Sequence, residues 1–347
     1  MKIGYNILKF YIRTGLFFYY KKIKVEGREN IPKDKPIILL ANHQNALMDA
    51  LMIVMNVRVA PYFLARSDLF KNRQVSTFLH YLQMIPIYRI RDGRDTLKNN
   101  PAIFQKCGEL LAKQKTIMLF PEGNHGIQRR VRWPMRKGFV QMIFSALEKN
   151  PDLDVRIVPV GLNYLKAEGF PDSVALHIGR DFAVQDFYNP KNLDATETLL
   201  KDEVYARLKL LTTHIPKEMD YDNTLVQLRN QNVDYLNPSK VNRAIQEIDS
   251  TLSKTSIQEK THWFSILKKW IFIMINFPII LLWNKFVKPL DLDIEFRTTL
   301  RFAVGLILFP LYYLIVFMVF VYLLGQGWAL VILLALLLLN FLFVKLG

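Results

Sequence analysis

The chain has 347 residues, of which 51% are hydrophobic, and 46 Lys and Arg against 30 Asp and Glu give it a net charge of +16. This length allows one or two domains, and the positive charge implies an anionic partner. Lipid head groups fit that partner better than nucleic acid, because the sequence has no zinc-knuckle, RNA-recognition or helix-turn-helix signature. The single cysteine, Cys107, excludes an internal disulfide and a zinc site built from cysteines.

The first 30 residues are rich in aromatic side chains, and we predict a membrane-interfacial helix over residues 1–30. Lys9 and Arg13 interrupt the apolar run, and no small-residue cleavage site follows. These features exclude a clean signal peptide and are typical of a helix that lies in the head-group region.

Short apolar runs then alternate with helical patterns, and we assign them to one domain, residues 31–220. The alternation predicts an α/β fold, a mixed sheet flanked by helices. Strands are predicted at 36–41, 59–65, 84–89, 116–120, 155–162 and 174–179. Helices are predicted at 46–56, 67–82, 101–113, 134–149 and 196–215.

A histidine and a carboxylate follow the first predicted strand, in the run Asn42-His43-Gln44-Asn45-Ala46-Leu47-Met48-Asp49. An imidazole can accept a proton near neutral pH, and a neighbouring carboxylate can fix its tautomer. The pair therefore has the equipment to activate a hydroxyl group. The alternative is that Asn-His merely caps the helix that follows.

Three further clusters lie at ends of predicted strands, where ligand sites of such sheets are found. They are Met84-Ile85-Pro86-Ile87-Tyr88-Arg89, Ile117-Met118-Leu119-Phe120-Pro121-Glu122-Gly123-Asn124 and Arg156-Ile157-Val158-Pro159-Val160-Gly161. Each has an ordinary structural interpretation when taken alone: a surface charge, a turn and a kink at a strand end.

Residues 221–260 are polar and helical in pattern, and we interpret them as a linker region. Residues 261–347 form a membrane region. Within it, the segment 263–283 has an uncharged core of only 14 residues, Trp270 to Trp283, which contains Asn276 and Pro278. That core is too short for a comfortable span, so a re-entrant or interfacial element is predicted.

No Asp, Glu, Lys or Arg occurs from Phe302 to Val344, which predicts two membrane spans, 302–324 and 327–346, joined at Gly325-Gln326-Gly327. Basic residues flank the outer ends of this hairpin, and its tip has none. The positive-inside rule then places both ends and the bulk of the chain on the cytoplasmic side of a multi-pass protein of the cell inner membrane.

The four clusters, in this order, resemble the glycerophosphate acyltransferase family, which includes bacterial 1-acylglycerol-3-phosphate acyltransferase. The matching blocks are an Asn-His with a downstream Asp, a Pro-Ile-x-Arg, a Phe-Pro-Glu-Gly and a Val-Pro-Val strand, within roughly residues 30–180. The resemblance implies a lipid acyltransferase that takes its acyl group from coenzyme A or acyl-carrier protein. It implies no metal and no further cofactor.

Carried over by position, His43 is the general base and Asp49 its orienting carboxylate. The resemblance assigns acceptor binding to Arg89, Glu122 and Gly123 and the pocket wall to Pro159. Glu122 is a poor direct phosphate ligand because like charges repel, so we expect it to bind a glycerol hydroxyl or to brace a cation. Cations that remain for the phosphate are Arg89, Lys137 and the cluster Arg129, Arg130 and Arg132, and this cluster fits a solvated surface equally well.

One spacing differs from the family pattern: five residues separate His43 from Asp49, where the family has four. Positions six apart on a helix lie roughly 120° from each other around the axis, so the two cannot share a helical face. We therefore predict that His43 lies in the turn, that Asn45 starts the helix, and that Asp49 points back from the first turn.

Lysophosphatidic acid is the leading acceptor. Glycerol 3-phosphate or an amino-acid lysolipid is an alternative within the same chemistry. A different class remains, a non-catalytic lipid-binding scaffold with an acyltransferase-like fold, for which the altered spacing would mark lost chemistry.

Overall fold

The computed structural model describes residues 3–248, 263–290 and 294–346, and its centre is one eight-stranded sheet. The strands run in the order β1-β7-β6-β2-β5-β3-β4, and β8 pairs with β6 beside that path. Their bounds are β1 Tyr20–Glu26, β2 Ile37–Ala41, β3 Tyr62–Arg66, β4 Met84–Ile87, β5 Thr116–Leu119, β6 Arg156–Tyr164, β7 Asp172–Ile178 and β8 Phe182–Ala183.

The strands from β6 to β4 are all parallel, so their carboxyl ends meet at one edge of the sheet. In contrast, β7 and β8 run antiparallel to β6, and β1 runs parallel to β7. The mixed sheet flanked by helices is therefore confirmed. The common edge is where the sequence clusters after β2, β4 and β5 emerge.

Twelve α-helices are found in the described residues. Their bounds are α1 Ile3–Tyr19, α2 Ala46–Asn56, α3 Arg73–Tyr81, α4 Asn100–Ala112, α5 Gly138–Lys149, α6 Leu193–Leu211, α7 Tyr221–Asn230, α8 Pro238–Gln246, α9 Trp263–Ile275, α10 Phe277–Leu282, α11 Ile294–Leu324 and α12 Gln326–Leu346. The portion of the predicted 221–260 region that follows residue 248 lies outside the described residues.

Hydrophobic cores cover both faces of the sheet, as the alternating side chains of β2 show. Ile37 and Leu39 belong to a core with α1 and α2, whereas Ile38 and Leu40 belong to a core with α4, α5 and α6. All five residues of β2 are buried. A strand covered on both faces reads as a continuous apolar run, and this is why it was recognisable in the sequence.

The N-terminal segment differs from the prediction of one helix over residues 1–30. Helix α1 ends at Tyr19, and residues 20–26 form β1, which pairs with β7. Tyr20 is buried, whereas Lys21 and Lys22 directly after it are exposed, and β1 lies at the edge of the sheet. Its partner strand, β7, is about 150 residues away in the sequence, so the local sequence pattern could not predict the pairing.

Two helices in the described residues are long and apolar enough to cross a membrane, Phe296–Leu324 and Gln326–Leu346, and Gly325 joins them with a φ of 81°. Helices α9 and α10 form a pair bent by 87° at Asn276, as a broken span or a re-entrant loop would be. Helix α11 begins before the predicted span. Its first turns contact the α/β domain, where Thr298 Oγ1 donates a hydrogen bond of 3.1 Å to the carbonyl oxygen of Ala167.

Candidate active site

The turn after β2 carries His43 and is fixed to the neighbouring strand β6 by Asn42. The Asn42 side chain is buried, its Nδ2 donates to the carbonyl oxygen of Leu162, and its Oδ1 accepts from the Leu162 backbone N–H. These bonds measure 3.0 and 2.7 Å. Two reciprocal bonds to one residue hold the backbone just before His43 in a single position.

Asp49 points back from the first turn of α2 to this loop. Its Oδ2 lies 2.8 Å from His43 Nδ1 and accepts backbone N–H bonds of 2.7 Å from both Gln44 and Asn45. Helix α2 begins at Ala46, whose φ of 37° closes the turn. His43 therefore lies outside the helix, and the five-residue spacing still brings the imidazole and the carboxylate into contact. Asn45 is the N-cap residue, but its side chain makes no capping bond.

Sequence reasoning missed Tyr164, whose hydroxyl donates a 2.7 Å hydrogen bond to the other carboxylate oxygen, Asp49 Oδ1. Tyr164 is the last residue of β6, and burial raises the pKa of its phenol well above the ordinary value. The hydroxyl therefore remains a donor at neutral pH. The predicted strand ended at residue 162, two residues short, so this side chain was not placed at the edge of the sheet.

The His43 ring is held between aromatic side chains. It stacks on Phe120 with centroids 3.9 Å apart and planes 6° from parallel, and His125 meets it edge-on at 5.3 Å. Phe296 of α11 packs edge-on against His125 at 4.9 Å. The His43 side chain remains 14% exposed. Since Nδ1 faces Asp49, Nε2 is the ring nitrogen that can reach a substrate.

Glu122 follows β5, the strand next to β2, and its carboxyl group is nearly buried. Burial raises its pKa to about 8, while the nearby Arg132 charge and the backbone N–H groups of His43 and Arg132 lower it. The net effect leaves most of this carboxyl protonated at pH 7. A neutral Glu122 does not repel a phosphate, so the like-charge repulsion expected from the sequence does not apply to the protonated side chain.

The turn at Gly123 requires glycine. Its φ is 69°, and a Cβ built there would lie 2.5 Å from Cγ of Arg136. The backbone N–H of Arg136 donates to the carbonyl oxygen of Pro121 at 2.7 Å, so Arg136 lies directly over the turn. Lys137 is exposed and immediately precedes α5, at the helix N-terminus.

Arg89 and Pro159 lie farther from His43 than the Glu122–Gly123 turn does. Arg89 follows β4, three strands from β2, or about 14 Å across the sheet. Its guanidinium is paired with Asp92 at 3.0 Å and approaches Asp68 at 3.9 Å. Pro159 lies inside β6 beside Leu40, below the edge. Their roles in acceptor binding and in the pocket wall stay predictions.

Two arginines of the Arg129, Arg130 and Arg132 cluster hold separate segments of the chain together through hydrogen bonds. Arg129 donates to the carbonyl oxygens of Tyr164 and Leu165 at 2.9 and 2.8 Å, and its guanidinium lies over the Tyr235 ring. Arg130 donates to the carbonyl oxygens of Ile215 and Pro216. The bonds of Arg129 tie the active-site loop to the end of β6, and those of Arg130 tie it to the segment that follows α6. Neither guanidinium forms the solvated surface, and neither is positioned as a dedicated phosphate ligand.

Comparison with known proteins agrees with this site. Residues 22–163 match the family model described as Acyltransferase, a range that contains His43, Asp49, Arg89 and Glu122. This region is an acyltransferase-family domain. The resemblance stated from the sequence is thereby confirmed.

Several proteins named as acyltransferases are similar to this chain in sequence. A 1-acyl-sn-glycerol-3-phosphate acyltransferase of Borreliella burgdorferi is 24% identical over 60% of this chain and 81% of its own length. The glycerol-3-phosphate O-acyltransferase 1 of Saccharomyces cerevisiae is 29% identical over 36% of this chain. A 1-acyl-sn-glycerol-3-phosphate acyltransferase of Chlamydomonas reinhardtii is 28% identical over 41% of it. The chain spans 16% and 39% of the lengths of the last two relatives.

Among solved structures, the 1-acyl-sn-glycerophosphate (LPA) acyltransferase PlsC from Thermotoga maritima aligns with a TM-score of 0.38 and 23% identity. The alignment covers 58% of this chain and 79% of that protein. Within the described residues, no three His, Cys, Asp or Glu side chains are grouped as a metal site would need.

Proposed function

We propose that this protein is a membrane acyltransferase that moves a fatty acyl group from a thioester to the free hydroxyl of lysophosphatidic acid, giving phosphatidic acid. The observation that carries the proposal is the 2.8 Å contact between His43 Nδ1 and Asp49 Oδ2 at the carboxyl edge of the sheet. Relatives named as acyltransferases of 1-acylglycerol 3-phosphate support this acceptor.

In the proposed step, the acceptor hydroxyl attacks the thioester carbonyl carbon while His43 Nε2 takes the hydroxyl proton. Asp49 holds Nδ1–H and stabilises the imidazolium that forms. Collapse of the tetrahedral intermediate breaks the carbon–sulfur bond, and the imidazolium returns the proton to the leaving thiolate. The products are an ester and a free thiol, and His43 is again neutral.

No covalent acyl-enzyme is required by this scheme. Cys107 is fully buried, and burial raises the pKa of its thiol to about 12, so the thiolate form is scarce at neutral pH. We therefore propose direct transfer in a ternary complex of enzyme, acyl-coenzyme A or acyl-carrier protein, and acceptor.

The Glu122–Gly123 turn is the proposed acceptor site. A protonated Glu122 can donate a hydrogen bond to the acceptor, and positive charge comes from Arg136, which packs over the turn, and from the next residue, Lys137. Arg89 contributes to phosphate binding only if a substrate reaches across the strands between β2 and β4. An Arg89→Ala variant compared with Arg136→Ala separates the two phosphate sites by their effect on the acceptor KM.

We further propose that the protein resides in the cell inner membrane with its domain at the cytoplasmic face. The two helices of 29 and 21 residues found as candidate spans support membrane insertion. Basic residues flank the outer ends of the hairpin, which supports the orientation.

Purified protein in detergent, supplied with palmitoyl-coenzyme A and lysophosphatidic acid, should release free thiol and form phosphatidic acid. The His43→Ala variant should lose this activity, whereas His80→Ala, which removes an exposed histidine of α3, should retain it. Parallel reactions with acyl-carrier protein as donor, and with glycerol 3-phosphate or an amino-acid lysolipid as acceptor, identify the substrates. Absence of thiol release with every acceptor would favour the lipid-binding scaffold.

A further inference from the structure

An apolar cavity of about 410 Å³ lies among the membrane helices, outside the region that matches the acyltransferase family. Its volume is within the range of roughly 300–1,000 Å³ typical of ligand pockets. Side chains from α1, α9, α10, α11 and α12 line it, among them Phe18, Phe272, Ile279, Leu306, Phe309 and Leu337.

Three polar side chains in the wall satisfy one another. Asn276 Nδ2 donates to Asn340 Oδ1 at 2.7 Å, and Asn340 Nδ2 donates to the Tyr313 hydroxyl at 2.8 Å. A cavity holds water only where polar groups remain to bind it, and genuinely apolar cavities stay dry. The pairing therefore favours a hydrocarbon occupant in this part of the cavity; the Tyr19 hydroxyl, which also lines the cavity, lies close to Arg301 at its polar end.

The cavity is bordered by exposed apolar and aromatic surface. Tyr11 and Phe18 of α1 line it and are 43% and 48% exposed. Its other border is α11, which is long and apolar enough to cross a membrane. In the proposed membrane orientation, the cavity is therefore reached from the bilayer beside α1.

One charged side chain, Arg301, marks the polar end of the cavity. It donates a 3.2 Å hydrogen bond to the carbonyl oxygen of Glu168, and within the described part of the chain no carboxylate lies within 4.0 Å of it. Arg301 is five residues after Phe296, whose ring contacts His125 beside His43. A guanidinium has five N–H donors, which suits the ester or phosphate end of a lipid.

We propose that this cavity binds the acyl chain of the lysophospholipid acceptor, with Arg301 at the ester end of that chain. The proposal rests on the proposed acyltransferase function. The acceptor is the better occupant than the donor because a lysolipid already resides in the bilayer, from which the cavity is reached, whereas the thioester carrier arrives from water. The membrane helices thereby form part of the substrate site in addition to anchoring it.

Gly305 allows the cavity to be filled without disturbing its wall. A Cβ built on Gly305 would have its nearest neighbour, Phe309 Cδ2, at 3.8 Å, an ordinary contact, so Gly305→Leu extends into the cavity. Thr14→Leu fills it from a different helix, α1. The matched control is Gly327→Leu, because a Cβ on Gly327 at the start of α12 meets nothing within 4 Å.

The apparent KM for palmitoyl- and octanoyl-lysophosphatidic acid is measured for each variant with one fixed acyl donor. Both filling variants should raise the KM for the palmitoyl acceptor by roughly tenfold relative to the octanoyl acceptor. This is the loss expected when about two methylene groups of the palmitoyl chain can no longer be buried in the cavity. The dependence on donor chain length and the behaviour of Gly327→Leu should match wild type. Unchanged acceptor preference in both filling variants overturns the proposal, as does a shift in donor preference alone.

A binding measurement separates this inference from the function on which it rests. In a His43→Ala background, which does not need turnover, equilibrium binding of palmitoyl-lysophosphatidic acid should weaken roughly tenfold on adding Gly305→Leu. Binding that persists unchanged refutes the cavity assignment. Weakened binding in a protein that shows no transferase activity before the His43 substitution would refute the proposed function and leave the lipid site standing.

Discussion

Replacement of Asp49 by asparagine tests the proposed mechanism because the substitution removes charge while preserving shape. Asp49 is fully buried, and its Oδ2 accepts three hydrogen bonds, from His43, Gln44 and Asn45. An asparagine can place its carbonyl oxygen there and its NH₂ group toward the Tyr164 hydroxyl, which can also accept. The turn can therefore persist, and the free energy of unfolding should fall by only about 1–3 kcal/mol as charged bonds become neutral ones.

Catalysis should suffer much more than stability in Asp49→Asn. A neutral amide does not stabilise the His43 imidazolium, so kcat should fall by about 10³–10⁴, equivalent to about 4–5.5 kcal/mol. Thiol release at saturating substrate measures kcat, and thermal unfolding in the same detergent measures stability. A kcat within tenfold of wild type in a folded protein would refute the pairing.

The control for this prediction is Tyr164→Phe. It removes only the 2.7 Å bond to Asp49 Oδ1 and leaves the carboxylate beside His43. We expect kcat to fall by about tenfold, because one hydrogen bond to a charged group contributes about 1.5–3 kcal/mol and part of that loss appears as lower stability. A Tyr164→Phe protein as inactive as Asp49→Asn would mean that the phenol has a direct part in the chemistry.

Three other substitutions have outcomes that follow from the site. Glu122 has a pKa of about 8, above its ordinary value of 4.5, so the folded protein keeps a proton that the unfolded chain releases, and wild-type stability should fall as pH rises from about 4.5 to 8. Glu122→Gln should make that fall smaller in pH-dependent melting curves, and the remainder is expected from Asp172, whose pKa burial raises to about 7. Gly123→Ala should lower stability by about 1–3 kcal/mol in denaturant unfolding, because its φ is 69° and Arg136 occupies the space of the new Cβ. Arg129→Lys should raise protease sensitivity of the segment after β6, since a lysine cannot donate to two carbonyl groups in the same fork geometry; unchanged cleavage would exclude the cross-link.

The secondary structure around the site was predicted correctly where local patterns determine it. The buried strand β2 and the helix over 46–56 were recognisable from apolar runs and periodicity, and a turn between them followed from the spacing of His43 and Asp49. The parallel sheet then brings the ends of β2 and β5 together, so Glu122 lies beside His43 as the order of the clusters indicated.

The parts that were missed depend on distant contacts. Strand β1 is defined by its pairing with β7, and Tyr164 acquires its role only because β6 lies beside β2. Helix α11 begins before the predicted span for a different reason: charged residues such as Arg301 mark where a chain leaves hydrocarbon, but they do not end a helix. Hydropathy indicates whether a segment lies in water or in lipid. It gives no information about the backbone hydrogen bonds that determine where a helix begins.

The uninterrupted course of α11 sets a height for the chemistry above the membrane. The uncharged stretch starts at Phe302, and Phe296 lies six residues earlier on the same helix, a rise of about 9 Å. In the proposed membrane orientation, with Phe302 at the edge of the hydrocarbon, a head-group layer about 5–8 Å thick places His125 and the neighbouring His43 near its outer boundary. At that level the proposed lysolipid acceptor can present its glycerol hydroxyl while its chain stays in the leaflet. Helix α11 would then set the distance between the membrane and the active site, and the proposed enzyme would not need to extract its acceptor from the bilayer.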